Sequence, residues 1–585
     1  MARRDKPAAR KDQDRKRRPP AGAAPAVAPA PVVTVPAPAG AELRSWHHGW
    51  RIPAALVLLH VVLALLSFVP APHTGGDNAA YASLARALLE GRGYVELWDP
   101  AVRPHTQFPP VFPALLALGS LVGLEWWVGA KLIVVAFSAL AVLFTYLWLR
   151  RETTPGVAIS AGLFVAFSPG VLELSHWELS DVPFWAFTML ALWAFAHFEE
   201  RPLVPGGPGA DAGAAPRLDA RWIAVATGAT ALAYLTRSAG LPLLLAGAAW
   251  LAWRRRWRAL GVFGAVAGGL ALAWWLRGEL AGGSGYLSSF WAVDPYTPSK
   301  GTIGIAGLFP RMAANGWKYV SGHLPLLTVN SRFVGKLVAL ALIGLGITGW
   351  ARRLRRAGVV ELWVPLYVGM TLVWPETWSG ERFVLPLLPV LLLYTGEALR
   401  DLPPKTDAGA MVALGAAAIL YGFSVPGLVK EVRRGTACTA AYLRGDEFAC
   451  TPAPWRDFLS LARLTRDRLP EGSVVVSRKP TLFYAFSGYP GRVYPLSADP
   501  DTFFRAAREA RATHVAVDGL VDLTPRYLRP AVLARAERFC WMPEFRLQTA
   551  FLMRILPGGG RRAPDGGPPP CQPGGRPPAP LPVRR

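Results

Sequence analysis

The sequence predicts a mainly α fold: a polytopic membrane helix bundle of about eleven spans with a small extracytoplasmic α/β domain at its C-terminal end. Three observations predict it. Apolar runs of about 18 residues, the length that crosses ~30 Å of hydrocarbon, recur along the chain. Only 17% of the residues are charged, against about 25% in an ordinary soluble domain, while 52% are hydrophobic. The formal charge of +24 gathers in the first twenty residues and at the ends of the apolar runs. That is the pattern of membrane topology, not of a nucleic-acid-binding stripe, so no nucleic-acid partner is expected. The same figures exclude a disordered chain and argue against a soluble enzyme of this length.

Residues 1–45 are basic, then Ala/Pro-rich, and read as a disordered cytoplasmic arm because such sequence cannot bury a core. The first apolar run, 52–69, follows this positive stretch and is read as a retained span with its N-terminal side in the cytoplasm. Further spans are expected at 128–149, 156–172, 181–198, 221–236, 238–253, 258–276, 334–351, 360–375, 382–399 and 408–427. The apolar segment 108–122 is excluded from this set. If it crossed, Arg150-Arg151, Arg254-Arg255-Arg256 and Arg352-Arg353 with Arg355-Arg356 would all lie outside; if it does not, all join the N-terminal arm inside. It is therefore read as a re-entrant or interfacial helix within a long first outer loop, 70–127, of a transmembrane domain covering 46–428.

An odd number of spans puts the chain after Val425 outside. All four cysteines, Cys438, Cys450, Cys540 and Cys571, fall there, in the compartment where disulfides form, and Cys438 and Cys450 are close enough in sequence to pair. Within 429–556 the β-branched runs 473–477 and 513–517 flank a helical stretch, 501–512, which predicts strand–helix–strand in a periplasmic α/β domain. Residues 557–585 are Gly/Pro/Arg-rich and expected to be a disordered tail.

With this topology the unusual ionisable residues sort to the outer side, among them Asp77, His105, Glu178, Asp181, Arg237, Arg277 and Arg382. Ionisable groups near membrane depth are costly, so they carry a functional expectation. Asp77 follows a flexible His73-Thr74-Gly75-Gly76 turn and precedes a helical pattern; it suits an N-cap and a catalytic base alike. Asp181, before Val182-Pro183, also suits a helix start, and with Glu178 it offers a second acidic group. Two carboxylates with nearby imidazoles would suit Mg or Mn, but hard-cation sites have no strict spacing signature, so no metal ligands are assigned. Arg237 and Arg382 at outer span ends would either snorkel to headgroups or grip a phosphate, for which the planar guanidinium is suited.

The stretch Gly76-Asp77-Asn78-Ala79-Ala80-Tyr81, then Gly91-Arg92-Gly93-Tyr94, then Thr106-Gln107-Phe108-Pro109-Pro110, resembles the first outer loop of bacterial family 39 glycosyltransferases, members of the membrane-embedded C superfamily (GT-C) that includes protein O-mannosyltransferases and aminoarabinose transferases. Thr236-Arg237-Ser238-Ala239-Gly240, the loop from Arg277 to Asp294-Pro295-Tyr296, and Glu381-Arg382-Phe383 continue the match over about residues 50–400. The resemblance implies an inverting glycosyltransferase in the bacterial inner membrane, multi-pass, with its active site facing the periplasm. It would use a polyprenyl-phosphate-linked sugar donor and a lipid, protein or glycan acceptor among the membrane lipids. It implies Asp77 as general base, Arg237, Arg277 and Arg382 as donor-phosphate ligands, and Tyr81, His105, Glu178, Asp181 and Tyr296 as substrate contacts or a second acidic group. Many relatives carry Asp-Glu where this chain has Asp77-Asn78.

Two other classes fit a polytopic chain. A transporter or flippase would need polar residues along the middle of several spans, whereas these span interiors are Ala/Leu/Val/Gly. A non-catalytic scaffold with a periplasmic binding domain would leave the one-sided Asp/Arg set without purpose.

Overall fold

The computed structural model describes residues 49–124, 126–198, 220–283, 285–400 and 407–572. The expected N-terminal arm and the last part of the expected tail, 573–585, lie outside these residues.

A helix stands at each position where an apolar run predicts one. Four helices are long and apolar enough to cross a membrane: Trp127–Glu152, Trp257–Leu280, Phe333–Arg356 and Glu381–Leu399. Shorter apolar helices occupy Arg51–Leu66, Pro155–Phe167, Ser238–Trp253 and Val359–Val373. Large side chains such as Trp148, Trp185, Trp250 and Trp363 are buried between helices. Elsewhere apolar residues such as Leu58, Trp253, Leu272 and Ile347 are exposed, as a lipid-facing surface requires.

Three details differ from expectation. The run 156–172 is two helices, Pro155–Phe167 and Pro169–Leu174, because Ser168 precedes a proline and is pushed into an extended conformation (ψ 126°). The run 382–399 opens with tight single turns at Glu381–Phe383 and Leu385–Leu387 before the helix Leu388–Arg400. The connection after Leu280 carries an unforeseen amphipathic helix, Ile305–Lys318. Its buried Arg311 donates to the Phe290 and Ala292 carbonyls at 2.6 and 2.5 Å, and Asn315 donates to the Leu372 and Trp374 carbonyls at 2.8 and 2.7 Å.

The bundle has two chemically different ends. At one, Arg353 pairs with Glu361 at 2.8 Å and with Glu152. Arg356 pairs with Glu397 at 2.8 Å, and Arg254 donates to the Ala357 carbonyl at 3.3 Å. The arginine clusters near 150, 254 and 353 therefore share one end. The helix Trp126–Glu152, about 40 Å long at 1.5 Å per residue, begins at the other end, where Trp127 stacks on Phe486 with ring centroids 5.4 Å apart. Segment Val111–Leu121 is a helix of 11 residues, about 16 Å long, and belongs with the shorter apolar helices. Its Phe112 packs edge-on against Tyr81, and the Leu124 backbone just beyond it lies against Gly129, so both its ends sit at this second end.

The C-terminal part holds a four-stranded sheet in the order β1-β2-β4-β3: β1 (Val475–Val476), β2 (His514–Val517), β3 (Phe539–Arg546) and β4 (Phe551–Ile555). β1 and β2 are parallel, as strand–helix–strand demands, with the helix Pro500–Glu509 between them, capped by Asp499, which accepts from Thr502 N at 2.9 Å. β3 and β4 form an antiparallel hairpin that no short-range signal announced.

Disulfides join Cys438 to Cys450 and Cys540 to Cys571. The second corrects the expectation for residues 557–572. Trp541 N donates to the Pro569 carbonyl at 3.0 Å and Cys571 N to the Trp541 carbonyl at 2.8 Å. Backbone pairing along β3 and a covalent link thus order a segment whose composition alone buries nothing.

Candidate active site

The site grows from the turn that follows the first helix. Gly76 has φ +95°, a conformation suited to glycine, and Asp77 is the first residue of the helix Asp77–Leu89. Gly76, not Asp77, occupies the N-cap. The Asp77 carboxylate, 43% exposed, instead stands 3.6 Å from Arg382 Nη1. A carboxylate in the first turn is stabilised by the partial positive charge of the helix N-terminus. Asn78 closes the turn from beneath: its Oδ1 accepts from Gly76 N at 3.2 Å and its Nδ2 donates to the His73 carbonyl at 2.9 Å.

Asp181 opens the helix Asp181–Phe198 and is buried. Its Oδ2 lies 2.8 Å from Arg237 Nη1 and 4.0 Å from Arg382 Nη1. Arg237 also donates to Ser180 Oγ at 3.2 Å, and the buried Tyr81 hydroxyl meets the same Oγ at 2.9 Å. Both guanidiniums lie by the ring of Phe383, that of Arg237 at 5.4 Å and that of Arg382 at 5.3 Å from its centroid. Burial, with Lys131, Arg382 and Lys479 nearby, pushes His73 down to about 3, so it is neutral here.

The structure thus brings together Asp77, Tyr81, Asp181, Arg237 and Arg382. The other expected residues have different surroundings. Glu178 is buried against Lys131 at 3.3 Å and accepts from His73 N at 3.2 Å, which fixes the turn before Asp77. His105 is buried; its Nδ1 meets Glu96 at 2.8 Å while Nε2 accepts from Phe108 N at 2.9 Å. Arg277 donates to the carbonyls of His105 and Tyr94 at 2.7 and 3.2 Å, tying the first loop down. Tyr296 accepts from Trp378 Nε1 at 3.2 Å, and its ring lies under Arg478 at 5.1 Å.

Residues the sequence did not single out complete the site. Lys479 and Thr481, from the start of the helix Pro480–Ser487, donate to the carbonyls of Gly75 and Gly76. No local pattern marks them. Among the described residues no group of three or more His, Cys, Asp or Glu is placed to hold a metal ion. The two carboxylates that share the site both face arginines, so no step is derived through Mg or Mn.

No protein-family model and no curated protein matches the sequence. Solved structures do match. ArnT from Cupriavidus metallidurans bound to undecaprenyl phosphate is similar with a TM-score of 0.50 and 15% identity, over 86% of this chain and 97% of that one. The Archaeoglobus fulgidus oligosaccharyltransferase is similar in complex with Zn and sulfate (TM-score 0.50, 14% identity, 85% of this chain and 72% of that chain) and in its apo form (0.50, 14%, 87% and 74%). With its long apolar helices, the chain is a multi-pass membrane protein with the fold of these solved structures.

Proposed function

We propose that this chain is a membrane glycosyltransferase that moves a sugar from a polyprenyl-phosphate donor to an extracytoplasmic acceptor with inversion. The observation that carries the reading is the convergence of Arg237 and Arg382 on Asp181, with the Asp77 carboxylate 3.6 Å from Arg382. Undecaprenyl phosphate bound to the ArnT of the same fold supports a lipid-phosphate donor.

In this reading the acceptor hydroxyl oxygen forms a bond to the anomeric carbon as the bond from that carbon to the phosphate oxygen breaks. Asp77 takes the hydroxyl proton, a contribution of roughly 10²–10⁴-fold. The phosphate leaves already ionised, so it needs charge stabilisation more than a proton. Arg237 and Arg382 supply it, and Asp181 keeps both guanidiniums aimed before the donor arrives. A single displacement inverts the centre.

We place eleven crossings in the bacterial inner membrane, the arginine-rich end in the cytoplasm and the Asp77 end with the C-terminal sheet outside. Both disulfides, in the C-terminal part, support that side. The family 39 assignment, the donor sugar and a lipid, protein or glycan acceptor belong to the same proposal. Mass analysis of glycolipids and glycoproteins from cells with and without the protein tests it. One glycan should disappear on deletion and return with the intact gene; an unchanged glycome would overturn the reading.

A further inference from the structure

Lys479 lies 404 residues from Gly75 in sequence, yet its Nζ donates to the Gly75 carbonyl. Thr481 Oγ1 donates to the next carbonyl, that of Gly76, at 3.0 Å. These two peptides immediately precede Asp77. The Lys479 chain crosses Gly76 so closely that a Cβ there would stand 3.1 Å from Lys479 Cδ. Asn78, second in the helix Asp77–Leu89, holds the Gly76 N–H and the His73 carbonyl, while the side chains that reach the Gly75 and Gly76 carbonyls are those of Lys479 and Thr481. The direction of the Asp77 carboxylate therefore depends on whatever holds the Gly75–Gly76 peptides.

The clamp is one of several contacts that bind the first loop to the C-terminal sheet region. Arg492 grips Asp99 with two bonds of 2.9 and 3.0 Å, Gly491 N donates to the Trp98 carbonyl at 2.7 Å, and Trp127 stacks on Phe486. The C-terminal region is thus docked on the loop rather than tethered beside it.

We propose that Lys479, assisted by Thr481, is a positioning residue for Asp77: the C-terminal α/β region completes the reaction centre by holding the Gly75–Gly76 turn, and through it the carboxylate, beside Arg382. This rests on the reading of Asp77 as base. The Lys479 ammonium faces Arg478 on its own segment, Asp518 after β2, Asp77 and His73 on the first loop, and Arg382. Burial and Arg478 bring its pKa down to about 8 while Asp77 and Asp518 hold it up. The ammonium is intact below that pH and lost above it, so transfer should fall on the alkaline side near pH 8.

The test uses the full-length protein in nanodiscs, with the lipid-linked sugar donor identified by the cell mass analysis and with undecaprenyl phosphate as a binding probe. Lys479→Met should lower kcat by about 10²-fold, the cost of a small misplacement. KM and undecaprenyl phosphate affinity should stay within about twofold, as expected for an interaction that acts on the chemical step. Amide exchange should rise in the peptide spanning residues 73–80. Lys479→Arg should restore most of kcat and move the alkaline limb upward; Thr481→Val should give a smaller loss of the same kind. In an Asp77→Asn background, Lys479→Met should cost nothing further. Unchanged kcat and exchange in a folded Lys479→Met protein would overturn the proposal, as would losses that multiply with Asp77→Asn. If Lys479→Met does not fold, Thr481→Val and Lys479→Arg decide alone. A fully active Asp77→Asn protein removes the base reading, while the exchange measurement still reports separately whether Lys479 holds the turn.

Discussion

Arg237 Nη1 stands 2.8 Å from Asp181 Oδ2, in a pair whose carboxylate is almost wholly buried. A buried carboxylate this close to a guanidinium is an expensive arrangement unless each charge has further partners. Arg237 finds Ser180 and the Phe383 ring, and Asp181 is shared with Arg382. The result is two arginines held side by side and one exposed carboxylate, Asp77, at their edge. In the proposed reading, that arrangement receives an anion with a proton acceptor beside it.

Asp77→Asn keeps the shape of the side chain and removes its basicity. Sugar transfer in membranes should drop by roughly 10²–10⁴-fold while expression and thermal midpoint stay unchanged. Full activity in the variant would exclude Asp77 from the base role.

Arg382→Lys keeps one charge but loses the planar fork and the contact with Phe383. A lost charge-assisted hydrogen bond of about 1.5–3 kcal/mol corresponds to an affinity for undecaprenyl phosphate weaker by about 10- to 100-fold. Binding to the purified protein measures this. Arg277→Lys should instead disturb the first loop, since Arg277 bonds carbonyls there, and show a lower thermal midpoint.

At the far end of the bundle, Glu361→Gln would leave Arg353 with Glu152 as its remaining carboxylate and weaken the cap that Glu361 makes to Gly358 N at 2.6 Å. Because Arg353 keeps Glu152, the cost stays below the about 3–5 kcal/mol of a buried charge left without a partner. The thermal midpoint should fall clearly, with donor affinity unchanged in the folded fraction.

Cysteine labelling of intact cells, on a background without the native cysteines, checks the orientation. Arg254→Cys should be shielded from an impermeant reagent and Gly559→Cys should react. Labelling of both from outside would place the arginine-rich end and the C-terminal sheet on the same face and dismantle the proposed pocket.

Part of the site was legible in the chain because Arg237 and Arg382 each stand at the end of an apolar run, where a charge has few reasons to be, and Asp77 follows a glycine turn at the start of a helical pattern. Glu178, His105 and Arg277 stand in similar places and are of similar type, but they meet Lys131, Glu96 and backbone carbonyls. Burial and partner choice separate the two groups, and neither is written in local sequence. Lys479 lacked any signal: it follows a two-residue strand in a different part of the chain.

Hydropathy and periodicity are local, so the amino-acid sequence by itself determined the helices, the gathering of arginines near 150, 254 and 353, the short helix near 111, and a strand–helix–strand unit near the C-terminus. Only the tertiary structure decided which of the remaining charges meet. That depends on contacts between residues hundreds of positions apart, where packing and desolvation select a few pairs: Asp181 with Arg237, Arg382 with Asp77, and Lys479 over the turn that presents Asp77.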